Sequence, residues 1–209
     1  VARLLVARDG IDPVLAGQVA AESQSHIGMA RRLATSHEAR SRRRETLLAA
    51  LAINGVTSAV NTAERWLDIA KKDAEALTTE RDLEERTATL RTMGLQPGDA
   101  IPNNMKADLK ALEEAQKRRA TRSLRDGIDR ILVDLLSLYR DVLTLQIDAQ
   151  TPLINAELTS QISEAAQITT PAQTIEKLEA IAQARLRIDR NVRDLMVLES
   201  LGVSLRIKR

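Results

Sequence analysis

From Asn104 to Gln146 the chain reads NMKADLKALEEAQKRRATRSLRDGIDRILVDLLSLYRDVLTLQ. Leu109, Leu112, Leu124, Ile128, Ile131, Leu132, Leu135, Leu138, Val142 and Leu145 return every three or four positions, the spacing of one face of an α-helix. The spacing predicts a single helix over 104–146, on the order of 60 Å long at 1.5 Å per residue. Gly127 lies inside it and weakens it by about 1 kcal/mol relative to alanine. A helix with so long an apolar face must bury it against other helices, and this decides the fold class: all-α.

The flanking sequence agrees. Downstream, Asp148 to Pro152 breaks the helix, and a further helix is expected from Leu153 to Gln167. Thr170, Pro171 and Gln173 combine an N-cap, a proline at the first helical position and a capping-box glutamine, opening a helix to Arg190. Asn191 is expected to cap a last helix through Leu195, Leu198, Leu201 and Leu205. Upstream, Pro97, Gly98 and Pro102 mark a loop over 95–103 after a long helix from Ser58 to Met93. Before that, Thr35 with Glu38 suggests a capping box opening a helix that Asn54-Gly55 stops near Ile53. Three short helices precede it: one ending at Gly10, one capped by Asp12 with Pro13 at its first position and ending at Glu22, and one capped by Ser25 over 27–34. The expected organisation is therefore a three-helix unit over 1–35 and a bundle of five or six helices over 36–209. Val1 to Val6 opens in mid-pattern without a start methionine or a cap, which reads as a chain continuing upstream.

Composition narrows the chemistry. There is no Phe, one Trp (Trp66) and one Tyr (Tyr139), so the core is built from aliphatic side chains. Cysteine is absent and only His26 and His37 are present, which excludes disulfides, thiolate chemistry and zinc sites rich in Cys or His. No metal site and no cofactor are expected. No apolar run approaches the roughly 20 residues that span a bilayer, no signal-peptide pattern is present, and a cytoplasmic location is the expectation. The net charge is only +2, so local clusters matter more than the sum.

No phosphate-loop, nucleophile-elbow or paired-histidine zinc motif occurs in the sequence. Glu80, Asp82, Glu84 and Glu85 cluster, but Arg81 and Arg86 interleave them in the manner of a solvated helix face. Two basic clusters stand out. Arg40, Arg42, Arg43 and Arg44 form one; Lys117, Arg118, Arg119, Arg122 and Arg125 form the other. Either could neutralise DNA phosphates, or serve solvated and inter-subunit ion pairs, since acids flank both and no aromatic residues are interleaved. In the segment from Ser25 to Ala34, Gly28 permits close approach. Arg31, three residues on, has a planar fork suited to a phosphate held by another domain, or to plain surface exposure.

Residues 23–34, SQSHIGMARRLA, resemble the sensor-2 helix in the lid of AAA+ clamp-loader subunits. The runs Gln116–Ala120, Leu124–Arg130 and Leu135–Leu143 resemble the collar helix of bacterial delta-prime subunits of DNA polymerase III. Asn191–Leu205 is similar to the final collar helix of the same group, and Ala63–Glu85 is most like actinobacterial members. The resemblance implies an AAA+ lid over 1–35 and an oligomerisation collar over 36–209, with a nucleotide-binding domain lying outside this sequence. It implies a stator role in DNA replication, with gamma/tau and delta subunits as partners and with the sliding clamp and primed DNA met through the whole assembly. No catalysis is expected of this portion, since the parent would be a non-catalytic subunit of a nucleotidyltransferase holoenzyme. On the same resemblance Arg31 would be the sensor-2 arginine. Leu135, Leu138, Tyr139, Leu195, Leu198 and Leu201 are expected at subunit interfaces, and Arg42, Arg43, Arg44, Lys117, Arg118, Arg119 and Arg122 at DNA or neighbouring subunits. The alternative is a stand-alone helical nucleic-acid-binding protein that uses the arginine clusters.

Overall fold

The structure is a computed structural model that describes residues 1–24, 26–96 and 98–207. It is all-α, with no strand among the described residues. The helices are α1 (Ala2–Asp9), α2 (Pro13–Glu22), α3 (Ile27–Thr35), α4 (His37–Leu51), α5 (Val56–Thr92), α6 (Lys106–Gln146), α7 (Thr159–Ile168), α8 (Pro171–Asp189) and α9 (Asp194–Leu205). Short 3-10 turns at Asn103–Met105 and Ala156–Leu158 lead into α6 and α7.

Local chemistry explains several helix ends. Gly10 adopts φ 64°, a conformation that costs a glycine little, and stops α1. The Asp12 carboxylate accepts from the backbone N–H groups of Val14 and Leu15, both at 3.0 Å, so α2 starts where the sequence indicates. Thr170 and Gln173 form a reciprocal capping box at the head of α8.

Other ends differ from expectation. The Ser25 cap lies outside the described residues; His26 Nδ1 accepts from Met29 N at the head of α3. Thr35 does not cap α4: its hydroxyl donates back to the Arg31 carbonyl within α3, and the next residue, Ser36, is extended and accepts from Ala39 N at 3.1 Å. Asn54-Gly55 does not close α4, which ends at Leu51. It forms the entrance of α5 instead, where both backbone N–H groups donate to the Ser58 hydroxyl. Asn191 does not open α9. At φ 60° it closes α8, its N–H reaching the Ile188 carbonyl while that of Val192 reaches Arg187.

The chain divides into two compact units, and the division does not fall at residue 35. One unit comprises 1–66 with 130–209; the other comprises 67–129. In the first, α1–α3 surround Leu5, Ala16, Val19, Ala30 and Leu33, and Ala39 of α4 completes the cluster. The Arg40 guanidinium, on α4, donates to the carbonyls of Leu33 and Ala34 and so caps the end of α3 from the following helix. The rest of this unit buries Leu47, Trp66, Leu132, Leu158, Ile181 and Leu198 from successive helices. Trp66 satisfies its indole N–H on the Thr46 carbonyl at 3.2 Å.

The second unit is an antiparallel helical hairpin. Rising positions on α6 meet falling positions on α5: Glu113 pairs with Arg86, Arg119 with Asp82 and Glu85, and Gly127 lies against Ala70. Gly127 thus has a packing role beside its propensity cost, because a Cβ there would sit 3.2 Å from the Ala70 carbonyl oxygen.

Two helices of the first unit also meet closely at Gly202 of α9, where an added Cβ would stand 2.8 Å from the Ala59 carbonyl oxygen of α5. Both atoms are held by packed helices, so relief requires backbone movement. Gly202→Ala is therefore expected to destabilise the chain by about 1–3 kcal/mol in urea titrations, despite alanine's better helix propensity.

Candidate functional site

Ser36 sets the phase of α4, so that Ala39, Arg43, Thr46, Leu47 and Ala50 face inward. A guanidinium thereby enters the interior: Arg43 is 6% exposed. Its Nε donates to Asp134 Oδ1 of α6 at 2.9 Å, and its Nη2 donates to Asn155 Oδ1. Its Nη1 stands 3.7 Å from Glu22 Oε2 at the end of α2. Asn155 is held in turn. Asp141, wholly buried on α6, accepts from the backbone N–H of Ile154 (3.0 Å), the backbone N–H of Asn155 (2.7 Å) and Asn155 Nδ2 (2.9 Å), while Ser137 Oγ also accepts from Asn155 Nδ2. The break after α6 makes this possible: Asp148 takes φ 50° and turns the chain back along the helix it has just left.

Two carboxylates thus face one buried guanidinium. Burial pushes the Asp134 carboxyl up to about 6, more than the Arg43 charge and hydrogen bond hold it down, and nearby Glu22 adds to the rise while Arg130 opposes it. Burial also raises Glu22, against the pull of Arg43, the hydrogen bond from Gln18 and the charge of Arg40, with Glu157 pushing the same way as burial.

A second buried cation lies elsewhere in the same unit. Lys177 Nζ of α8 sits 5.4 Å from the Tyr139 ring centroid, and burial lowers the lysine and raises the phenol. In the hairpin, Arg119 bridges Asp82 and Glu85. The hydrogen bonds from Arg119, and then from Arg81, hold the Glu85 carboxyl below its ordinary range. Among the described residues no group of three or more His, Asp or Glu side chains is disposed to hold a metal ion, and no helix is long and apolar enough to cross a membrane.

The two basic clusters fare differently. The first is engaged within the chain: Arg40 caps α3, Arg42 pairs with Glu38 at 3.7 Å, Arg43 is the buried hub, and Arg44 stands 3.8 Å from Glu157. Arg43 is thereby corrected from a surface contact to a core residue. In the second cluster only Arg119 turns inward; Lys117, Arg118, Arg122 and Arg125 remain exposed.

The expected interface leucines are corrected as well. Leu135, Leu138, Tyr139, Leu198 and Leu201 are buried in the chain's own core and present no surface to a neighbour; Leu195 is half-buried. The exposed apolar side chains of the last helices are others, Ile175 and Leu186 on α8 and Met196 and Val203 on α9. Arg31 is exposed on α3 and stands 3.3 Å from Asp9 Oδ1 at the end of α1.

Reading from sequence alone missed Glu22, Asp134, Asp141 and Asn155. A signal for two of them was present: Asp134 and Asp141 fall within the apolar stripe of α6, beside Leu135 and Leu138, where an unpaired carboxylate would be costly. No protein-family model matches this chain, and none of the curated proteins or solved structures compared with it is similar to it.

Removing the hub cation strands the buried Glu22 carboxylate and the largely buried Asp134 carboxylate, so Arg43→Ala is expected to cost about 3–5 kcal/mol of stability in chemical denaturation. The raised Asp134 carboxyl fixes the sign of a pH effect. Its folded value, about 6, exceeds the ordinary 3.8, so the folded state binds the proton more tightly. Its contribution to stability therefore grows as pH falls through 6 and is lost as pH rises. Asp134→Asn should flatten the stability difference between neutral and mildly acid pH, as read by thermal melts of the two proteins side by side.

Proposed function

We propose that this chain is an assembly module: the lid-and-collar portion of a clamp-loader subunit of the delta-prime kind, whose last helices meet neighbouring gamma/tau and delta subunits during DNA replication. The observation that carries the reading is the apolar outer surface of α8 and α9. Ile175 and Leu186 are 46% and 47% exposed, and lie three turns apart on one side of α8; Met196 and Val203 are 58% and 39% exposed, and lie two turns apart on one side of α9. These side chains remain outside although the core beneath them is complete, and burying them against another subunit would contribute about 25 cal/mol per Å². A stable subunit contact needs about 1,200–2,000 Å² in all, which two helices of this length can seed but not supply alone.

The sequence resemblance of the lid and collar segments supports the same role. On this reading the chain acts by holding partners, and Arg31 is the residue that would turn from Asp9 toward a nucleotide phosphate carried by another domain. A guanidinium already exposed and held by one carboxylate can make that exchange with little loss.

The test is co-purification with gamma/tau and delta subunits. Leu186→Asp with Met196→Asp places one charge on the exposed side of each helix and should abolish association while leaving the helical circular-dichroism spectrum and melting temperature of the chain unchanged. Undiminished association by this folded variant would refute the reading. Leu198→Asp is a poor probe of it, since that side chain is wholly buried and its replacement unfolds the unit.

A further inference from the structure

The hairpin of residues 67–129 takes no part in the surface just described. Its α6 limb has two chemically distinct sides. Leu109, Leu112, Gln116, Arg119, Ser123 and Gly127 recur at intervals of three and four and form the side toward α5. Leu109 and Gly127 are buried there, Gln116 donates to the Asp82 carbonyl, and Arg119 is clamped by Asp82 and Glu85. At 100° per residue the opposite side carries Lys110, Glu114, Lys117, Arg118, Thr121, Arg122 and Arg125. From Glu114 to Arg125 these residues line one shallow open groove along the helix, and Glu114 is the single carboxylate among its lining residues.

Pairing within the chain leaves this side cationic. Glu113 is taken by Arg86, and Glu114 reaches only Arg118, at 4.0 Å. Lys110, Lys117, Arg122 and Arg125 are exposed and have no ion-pair partner among the described residues. The stripe from Lys110 to Arg125 is about 22 Å long, at 1.5 Å per residue. A row of unpaired cations of this length on one helix matches a polyanion with regular charge spacing. Duplex DNA presents one negative charge per roughly 1.7 Å of its axis. The chain's only Trp and Tyr, Trp66 and Tyr139, are both buried, so no indole or phenol is offered for base stacking, on which single-strand binders rely.

We propose that the outward side of α6 between Lys110 and Arg125 is a docking surface for the phosphate backbone of double-stranded DNA, held without regard to base sequence. Arg119 is the positioning residue: its inward clamp fixes the rotation of α6 that turns Lys117, Arg122 and Arg125 together to the outside. The proposal does not rest on the assembly reading, because its surface lies in the other compact unit and its measurement needs no partner subunit.

The test is fluorescence anisotropy of a labelled DNA duplex of roughly 20 base pairs with the full chain, at about 50 and about 200 mM salt. Four phosphate contacts predict a slope of log affinity on log salt of about −3 to −4, hence a loss on the order of a hundredfold between the two conditions. Lys117→Ala/Arg122→Ala/Arg125→Ala should bring the slope to about −1 and weaken low-salt binding by about tenfold or more, with an unchanged melting temperature. Arg190→Ala/Arg193→Ala, at exposed positions outside the hairpin, and Leu186→Asp/Met196→Asp should bind as the parent does. The proposal fails if the duplex does not bind at low salt, if the triple variant keeps the parent's slope, if the control arginines matter equally, or if a single strand of the same sequence binds more tightly than the duplex.

Discussion

Arg43 is the point on which the larger unit turns. A guanidinium in the interior has lost most of its water, and such a loss is offset only where carboxylates and carbonyls surround the ion in the right geometry. Here the surrounding groups come from α2 (Glu22), α6 (Asp134) and the segment before α7 (Asn155), so one desolvated side chain ties three distant parts of the chain to α4. Asp141 extends the arrangement by holding Asn155 from the same helix that supplies Asp134. This also explains why α1–α3 belong to the same compact unit as α7–α9: the small aliphatic cluster of the first helices is modest, and the Glu22 contact joins it to the rest.

The hairpin uses ion pairs in a different way. Arg119, with Asp82 and Glu85, is only partly shielded from water, and such pairs contribute little stability each. What they determine is orientation. A clamped arginine, a small residue at Gly127 and a buried Leu109 hold one side of α6 against α5, and geometry then assigns the remaining basic residues to the opposite side. The same composition rotated by half a turn would bury cations without partners and expose leucine.

The two surfaces open to other molecules differ in kind. The apolar side chains on α8 and α9 suit contacts that exclude water and persist, whereas the cationic side of α6 suits screened, salt-sensitive contacts that form and break quickly.

The helical class, the lengths of α5 and α6, and the caps at Asp12 and Thr170 were legible in the linear sequence, because periodicity and capping are set by residues within a few positions of one another. Asn191 and the Asn54-Gly55 pair were misassigned because the same small polar residues can close one helix or open the next, and the downstream hydrogen bonds decide between them. The four arginines at positions 40, 42, 43 and 44 are alike in the linear sequence. Their fates diverged because α4 presents each at a different angle, and because Glu22, Asp134 and Asn155, far away in sequence, converge on only one of them. The same holds for the leucines of α6 and α9, whose apolar character is evident from composition while their burial depends on which neighbour covers them. Short-range interactions thus wrote the helices into the sequence; which charges and which leucines face water was decided only when those helices packed.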